Sequence, residues 1–193
     1  MIIKICGITT GADALACARA GATALGFNFW PRSPRYIAPE QAAGLIAAVP
    51  AGVLKVGLFV DEKADVIESL MSELKLDVAQ VHGPMDRPLE VRYWQACTIA
   101  AVPNSTAEAV LIDTPAGAER GGTGRSFDWS LVAGLPGRVI LAGGLGPDNV
   151  AEAIRVARPW GVDACSRLEL APGKKDIDKV RAFVEAARKA FEL

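Results

Sequence analysis

Two side chains capable of acid–base chemistry close short apolar runs that lie far apart in the chain. Cys6 ends "IIKIC" and stands against Gly7, and Asp113 ends "AVLID" ahead of Thr114 and Pro115. A structural cysteine serves equally well in the middle of a strand, whereas a thiol at a strand's edge is where substrate reaches it. A thiolate takes a proton from carbon and a protonated carboxyl gives one, so the pair suits an isomerisation by proton transfer. A free thiol has a pKa of about 8.5, so the site must favour the thiolate. Lys4 lies two residues from Cys6, on the same strand face, and is placed to approach it. Asp113 needs the opposite adjustment, burial that raises its pKa so that it holds a proton near neutrality. The bland readings are a small buried hydrophobe for Cys6 and a turn or capping aspartate for Asp113.

Such a pair must be held by a scaffold, and the chain reads as a regular one. Eight apolar runs recur: "IIKIC", "ALGFNFW", "VLKVGLFV", "DVAQVHG", "ACTIAAV", "AVLIDT", "RVILAGG" and "GVDACS". Most are continuously apolar, as strands covered on both faces are. Helical patterns separate several of them. Val66, Leu70 and Leu74 mark one helix face, and Ile177, Val180, Val184, Ala187 and Phe191 another. Pro39 opens a helix that Pro50 stops, and Pro147 and Pro159 bracket a further one. Eight strands alternating with helices predict a single-domain (β/α)8 barrel over residues 1–193, with a doubly wound open sheet as the runner-up.

The segment from His82 to Ala109 predicts a shortened α4–β5–α5 region. "DRPLEVRYW" reads there as a helix, "CTIAAV" as the fifth strand, and one turn or less of helix follows Val102, leaving the strand's outer face poorly covered. On a barrel, function sits at the C-terminal strand ends. Those ends hold Cys6-Gly7, Asn28, Phe59, Gln80 with His82, Asp113, Gly143-Gly144 and Ser166.

Composition narrows the partners. The 193 residues carry 21 basic against 22 acidic side chains, a net charge of −1. That argues against nucleic acid or an anionic membrane as the main partner. No apolar run approaches the roughly 20 residues of a membrane helix, and the N-terminus enters a strand at once. Four cysteines without ligand or framework spacing predict free thiols, no metal and a cytoplasmic setting.

In combination, "KICGIT", "LGFNFWPRSPRYIAPEQA", "KVGLFV", "QVHG", "LIDT" with "GGTGRSFDW", "ILAGGLGPDNVAEAI" and "GVDACSRLELAPGKKD" resemble the phosphoribosylanthranilate isomerase family, in order and through nearly the whole chain. The resemblance implies a (β/α)8 barrel that carries out a cofactor-free Amadori rearrangement in tryptophan biosynthesis, as a monomer or homodimer. It implies Cys6 as the base at ribose C2′ and Asp113 as the acid at the ring oxygen. Arg35 is implied to hold the anthranilate carboxylate; its planar fork suits two oxygens, although a solvated loop charge is the commoner fate of an arginine. Gly143, Gly144, Ser166 and Arg167 are implied to form the phosphate site, where glycines let backbone N–H groups come close. Gln80 and the single histidine, His82, are read as substrate-binding, with a structural role for His82 equally open. Asp128 reads as a helix cap.

The chain also departs from the family pattern. "CSRLE" stands where Ser-Ser-Gly-Val-Glu is usual, Thr98 where a lysine is common, and Gly11 where proline is frequent. Arg167 either adds a positive charge beside phosphate or distorts the turn through a required positive φ. The alternative to an active isomerase is a non-catalytic or repurposed phosphosugar-binding barrel.

Overall fold

The computed structural model describes residues 1–103, 106–114 and 128–192. Eight parallel strands close into a barrel in chain order: β1 (Ile2–Ile5), β2 (Ala24–Asn28), β3 (Leu54–Val60), β4 (Val78–His82), β5 (Tyr93–Cys97), β6 (Ala109–Ile112), β7 (Val139–Leu141) and β8 (Gly161–Ala164). β1 pairs β8 with Ile2 opposite Gly161 and Ile5 opposite Ala164, which closes the ring and removes the open sheet from consideration. The strands read as continuously apolar because both faces are buried. Ile2, Ala24, Val56, Val78, Trp94 and Ile140 fill the barrel interior. Ile3, Ile5, Leu25, Phe27, Phe59 and Val81 face outward and pack beneath the helices.

Five α-helices are described: α1 (Gly11–Ala20), α2 (Pro39–Ala47), α3 (Ala64–Glu73), α4 (Val150–Ala157) and α5 (Ile177–Phe191). Their ends follow local chemistry. The Thr10 side chain accepts from Asp13 N at the start of α1, and the Asp176 side chain accepts from Lys179 N at the start of α5. α2 opens on Pro39, whose missing N–H costs nothing there. None of the described helices is long and apolar enough to cross a membrane.

Three readings of helix and strand placement are corrected. The buried face of α3 is Ala64, Ile67 and Met71, and Val66 is exposed. The apolar positions 66, 67, 70, 71 and 74 span more of the surface than packing uses, and the helix turns its Ile67–Met71 side inward. The fifth strand is "YWQAC", not "CTIAAV", and residues 83–92 are bends and irregular backbone where "DRPLEVRYW" was expected to be helical. Trp94 decides the register, because the barrel interior takes its whole side chain, with no exposure, edge-on to Trp160 at 6.3 Å between ring centroids.

The region between β4 and β6 is as short as expected, holding one 3₁₀ turn (Ile99–Ala101) and no helix among the described residues. Its outer face is nevertheless covered. Met85, Leu89 and Val91 of the preceding loop pack on the core, Tyr93 is buried, and its hydroxyl bonds Thr106 Oγ1 at 3.0 Å. The "GGTG" motif lies outside the described residues. Asp128 after it caps a 3₁₀ turn (Trp129–Leu131) through Ser130 N. Past β8 comes an unforeseen antiparallel pair, β9 (Glu169–Ala171) with β10 (Lys174–Lys175).

Candidate active site

Cys6 and Lys4 alternate along β1 into the barrel, and β2 makes room for them. A Cβ on Gly26 would sit 2.8 Å from Cys6 Sγ and 3.0 Å from Lys4 Nζ, so any side chain there would displace one of them. Lys4 has no exposed surface and its Nζ lies 2.9 Å from Asp163 Oδ1 on β8. Burial works against the Lys4 charge, but Asp163 more than restores it, so the ammonium stays above its usual pKa.

The opening residues now have a physical reason. Gly7 takes φ +75°, where an L side chain is strained, and a Cβ there would lie 2.6 Å from Arg35 Cδ and 3.0 Å from Cys165 Sγ. The strand thus ends in a thiol and a glycine because the chain must turn sharply while Arg35 and Cys165 press on the turn. A hydrogen bond from Cys165, joined by the charge of Lys4 and opposed by burial, pulls the Cys6 thiol down to about 6. Burial, with the negative charge of Asp163 behind it, pushes the Asp113 carboxyl up to about 6. Lys4 therefore favours the Cys6 thiolate and Asp163 the Asp113 acid, while each partner opposes the other's effect.

Asp113, Gly143, Gly144 and Ser166 line one cavity of about 40 Å³, together with Asp163 and Cys165. Gly143 takes φ +83°, and a Cβ on it would run into Thr114 and approach Asp113 Oδ1 to 3.0 Å. Outside the bonds internal to the helices and strands, the N–H groups of Gly144, Ser166 and Arg167 donate to no backbone carbonyl among the described residues. Asn149, ahead of α4, shapes this loop by accepting from Gly146 N at 2.8 Å and donating to Gly144 O at 3.0 Å.

Three of the expected site residues have partners that the sequence did not announce. Arg35 is not a solvated loop charge. Its Nε and Nη2 grip Glu169 at 2.7–3.1 Å, and Lys175 Nζ meets Glu169 Oε1 at 2.8 Å. Burial would depress the Arg35 charge, but Glu169 holds its pKa above the usual value. Gln80 is buried in β4 and its Nε2 meets His82 Nε2 at 2.9 Å. Arg167 is free of the positive φ that would have strained it. Its charge is already paired, through Nη2 to both oxygens of Asp148 at 2.8 Å and Nη1 to Gly144 O at 3.0 Å.

Sequence reasoning missed Asp163, Glu169 and Lys175. A lone acid inside the apolar run "GVDAC", facing inward two residues before Cys165, was the available signal for Asp163. Nothing in "LELAPGKK" announces that a hairpin brings Glu169 and Lys175 back to Arg35.

Comparison with known proteins agrees with this geometry. The family model described as N-(5'phosphoribosyl)anthranilate (PRA) isomerase matches residues 3–186. The N-(5'-phosphoribosyl)anthranilate isomerase of Solibacter usitatus (strain Ellin6076) is 49% identical over 200 residues, covering 99% of each chain. The crystal structure of phosphoribosyl anthranilate isomerase from Thermotoga maritima superposes with a TM-score of 0.86 at 34% identity, covering 98% of this chain and 100% of that one. A structure of phosphoribosyl anthranilate isomerase in complex with reduced 1-(o-carboxyphenylamino)-1-deoxyribulose 5-phosphate gives 0.81 at 35% identity, with the same coverage. With its barrel, its thiol and carboxyl at one mouth and these relatives along its whole length, the chain belongs to the N-(5'-phosphoribosyl)anthranilate isomerase family.

Proposed function

We propose that this isomerase converts N-(5'-phosphoribosyl)anthranilate to 1-(2-carboxyphenylamino)-1-deoxyribulose 5-phosphate with Asp113 as acid and Cys6 as base. The observation that carries the reading is the opposed adjustment of these two groups, a thiol lowered and a carboxyl raised, around one Lys4–Asp163 pair. Asp113 gives its proton to the ribose ring oxygen, the ring opens, and the anthranilate nitrogen lone pair forms an iminium. That cation acidifies the C2′ hydrogen, which Cys6 removes to leave an enolamine. The enolamine then tautomerises to the ketone. Every group named belongs to one chain, so a monomer or a homodimer serves equally. Product formation, followed by loss of substrate fluorescence, tests the reading directly. A non-catalytic barrel that only binds phosphosugars would bind substrate without turnover.

Arg35 keeps Nη1 clear of Glu169, and we assign that edge to the anthranilate carboxylate, with Glu169 fixing the guanidinium plane. Loss of a charge-assisted hydrogen bond costs about 1.5–3 kcal/mol. Arg35→Ala is therefore expected to weaken binding of anthranilate-bearing ligands by about tenfold or more, and to leave ribose 5-phosphate binding nearly unchanged. Lys175 still neutralises Glu169 in that variant, so the fold holds. Equal losses for both ligands would assign Arg35 to the loop and not to the carboxylate.

Arg167 helps phosphate by neutralising Asp148 and tethering Gly144 O, while its N–H joins those of Gly144 and Ser166 on the anion. Arg167→Gly leaves Asp148 unpaired at the rim. An exposed pair of this kind is worth up to about 1 kcal/mol, so KM is expected to rise about two- to fivefold, more at low salt, with kcat nearly unchanged. Asp148→Asn frees the arginine and is expected to tighten binding. A lower KM in Arg167→Gly would make the arginine a hindrance.

A further inference from the structure

Cys6 and Cys165 are neighbours across the seam that closes the barrel. The β1–β8 register places Ile5 opposite Ala164, and Cys6 N donates to Ala164 O at 2.9 Å, which carries the pairing one residue further. Adjacent strands lie about 4.8 Å apart, inside the Cα separation of about 4.4–6.8 Å that a disulfide needs. Both side chains face the mouth. Cys6 packs with Leu58 and Val60, Cys165 lies against that cluster, and the Cys165 thiol donates to Glu169 Oε1 at 3.8 Å. A hydroxyl in place of Cys165 would supply the same hydrogen bond. What sulfur adds at this position is redox chemistry.

We propose that Cys6 and Cys165 form a reversible disulfide on exposure to peroxide, switching the enzyme off by consuming its base. The proposal rests on the reading of Cys6 as that base. The Cys6 thiolate attacks hydrogen peroxide; the O–O bond breaks, and the released hydroxide becomes water with the proton that Cys6 gave to solvent on ionising. Cys6 is now a sulfenic acid, oxidised by two electrons while peroxide is reduced. Cys165 sulfur then attacks Cys6 sulfur. The S–S bond forms, the S–O bond breaks, and the departing hydroxide leaves as water with the Cys165 thiol proton. Two thiols and one peroxide thus give one disulfide and two waters. Lys175 Nζ, 3.9 Å from Cys165 Sγ, stabilises negative charge as it develops on the resolving sulfur.

The other two cysteines are internal controls. Cys17 is buried on α1 and burial pushes its thiol up to about 12; Cys97 ends β5 and burial pushes it up to about 11. Both stay protonated, and only the thiolate reacts readily with peroxide. Oxidation without a resolving thiol continues to sulfinic acid, which is not reversed by thiols. Cys165 therefore also protects the base.

The test uses hydrogen peroxide on the purified enzyme, with activity, intact mass and peptide mapping read before and after dithiothreitol. Activity is expected to fall at least about tenfold in step with a loss of about 2 Da, a linked peptide pair containing Cys6 and Cys165 appears, and dithiothreitol restores both. Cys165→Ser, measured against its own untreated activity, gains about 32 Da at Cys6 and is not rescued. Irreversible loss in the unmodified sequence, with added oxygen and no linked peptide, overturns the disulfide. Rescue of Cys165→Ser to the same extent does so as well. A disulfide formed with activity intact overturns the base assignment, and the switch with it.

Discussion

Cys6→Ala and Asp113→Asn each lower kcat by at least about a hundredfold, while substrate binding changes little. Each removes a proton carrier and leaves the carboxylate and phosphate contacts in place. The pH profile distinguishes this from a structural defect. The reactive form needs Cys6 as thiolate and Asp113 as acid, and both titrate at about 6. Below that value Cys6 gains a proton and the base is lost; above it Asp113 loses its proton and the acid is lost. kcat/KM is therefore expected to be bell-shaped with a maximum near pH 6. In Asp113→Asn the residual activity should lose the alkaline limb and keep the acid one, and in Cys6→Ala the reverse. Near-full turnover in Cys6→Ala, or a flat profile between pH 5 and 8, would remove the assignment. Cys6→Ser is a further check, because a hydroxyl in the same place stays protonated at pH 6 and cannot replace the thiolate.

Seven of the eight strands were legible because burial on both faces leaves continuous apolar runs such as "VLKVGLFV". The fifth was misplaced because its outward Gln95 interrupts the run. That side chain is buried all the same, with Nε2 donating to Val81 O and Gly83 O. Position within the barrel overrode the local apolar signal of "TIAAV". The helix expected over "DRPLEVRYW" failed for a related reason. Its apolar residues do face the core, but from bends and irregular backbone, and Arg87 is drawn to Asp65 and Glu68 on α3. At the site, the strand ends put Cys6, Asp113 and the glycines at one mouth of the barrel, and the family resemblance implied their roles. Which charges neutralise one another was not, because Arg35–Glu169 and Lys4–Asp163 join residues 134 and 159 positions apart. Only the closed ring sets those partners, and they alter the part each residue plays.

Lys4→Met tests whether one buried ion pair serves both stability and chemistry. It leaves Asp163 buried without its cation, and removing one partner of such a pair costs about 3–5 kcal/mol. For a domain of this size each kcal/mol is worth about 2–4 °C, so Tm is expected to fall by roughly 10 °C. Lys4→Met with Asp163→Asn buries two neutral groups and should recover most of the stability, which separates loss of charge balance from loss of packing. The kinetic consequence has its own sign. Lys4 lowers the pKa of Cys6 and, more weakly, that of Asp113. Without it both limbs of the pH profile move to higher pH, the acid limb further, so the bell shifts alkaline and narrows. A variant as stable as the parent, or one whose profile stays in place while Tm falls, would show that the pair holds the barrel together without tuning its acid and base.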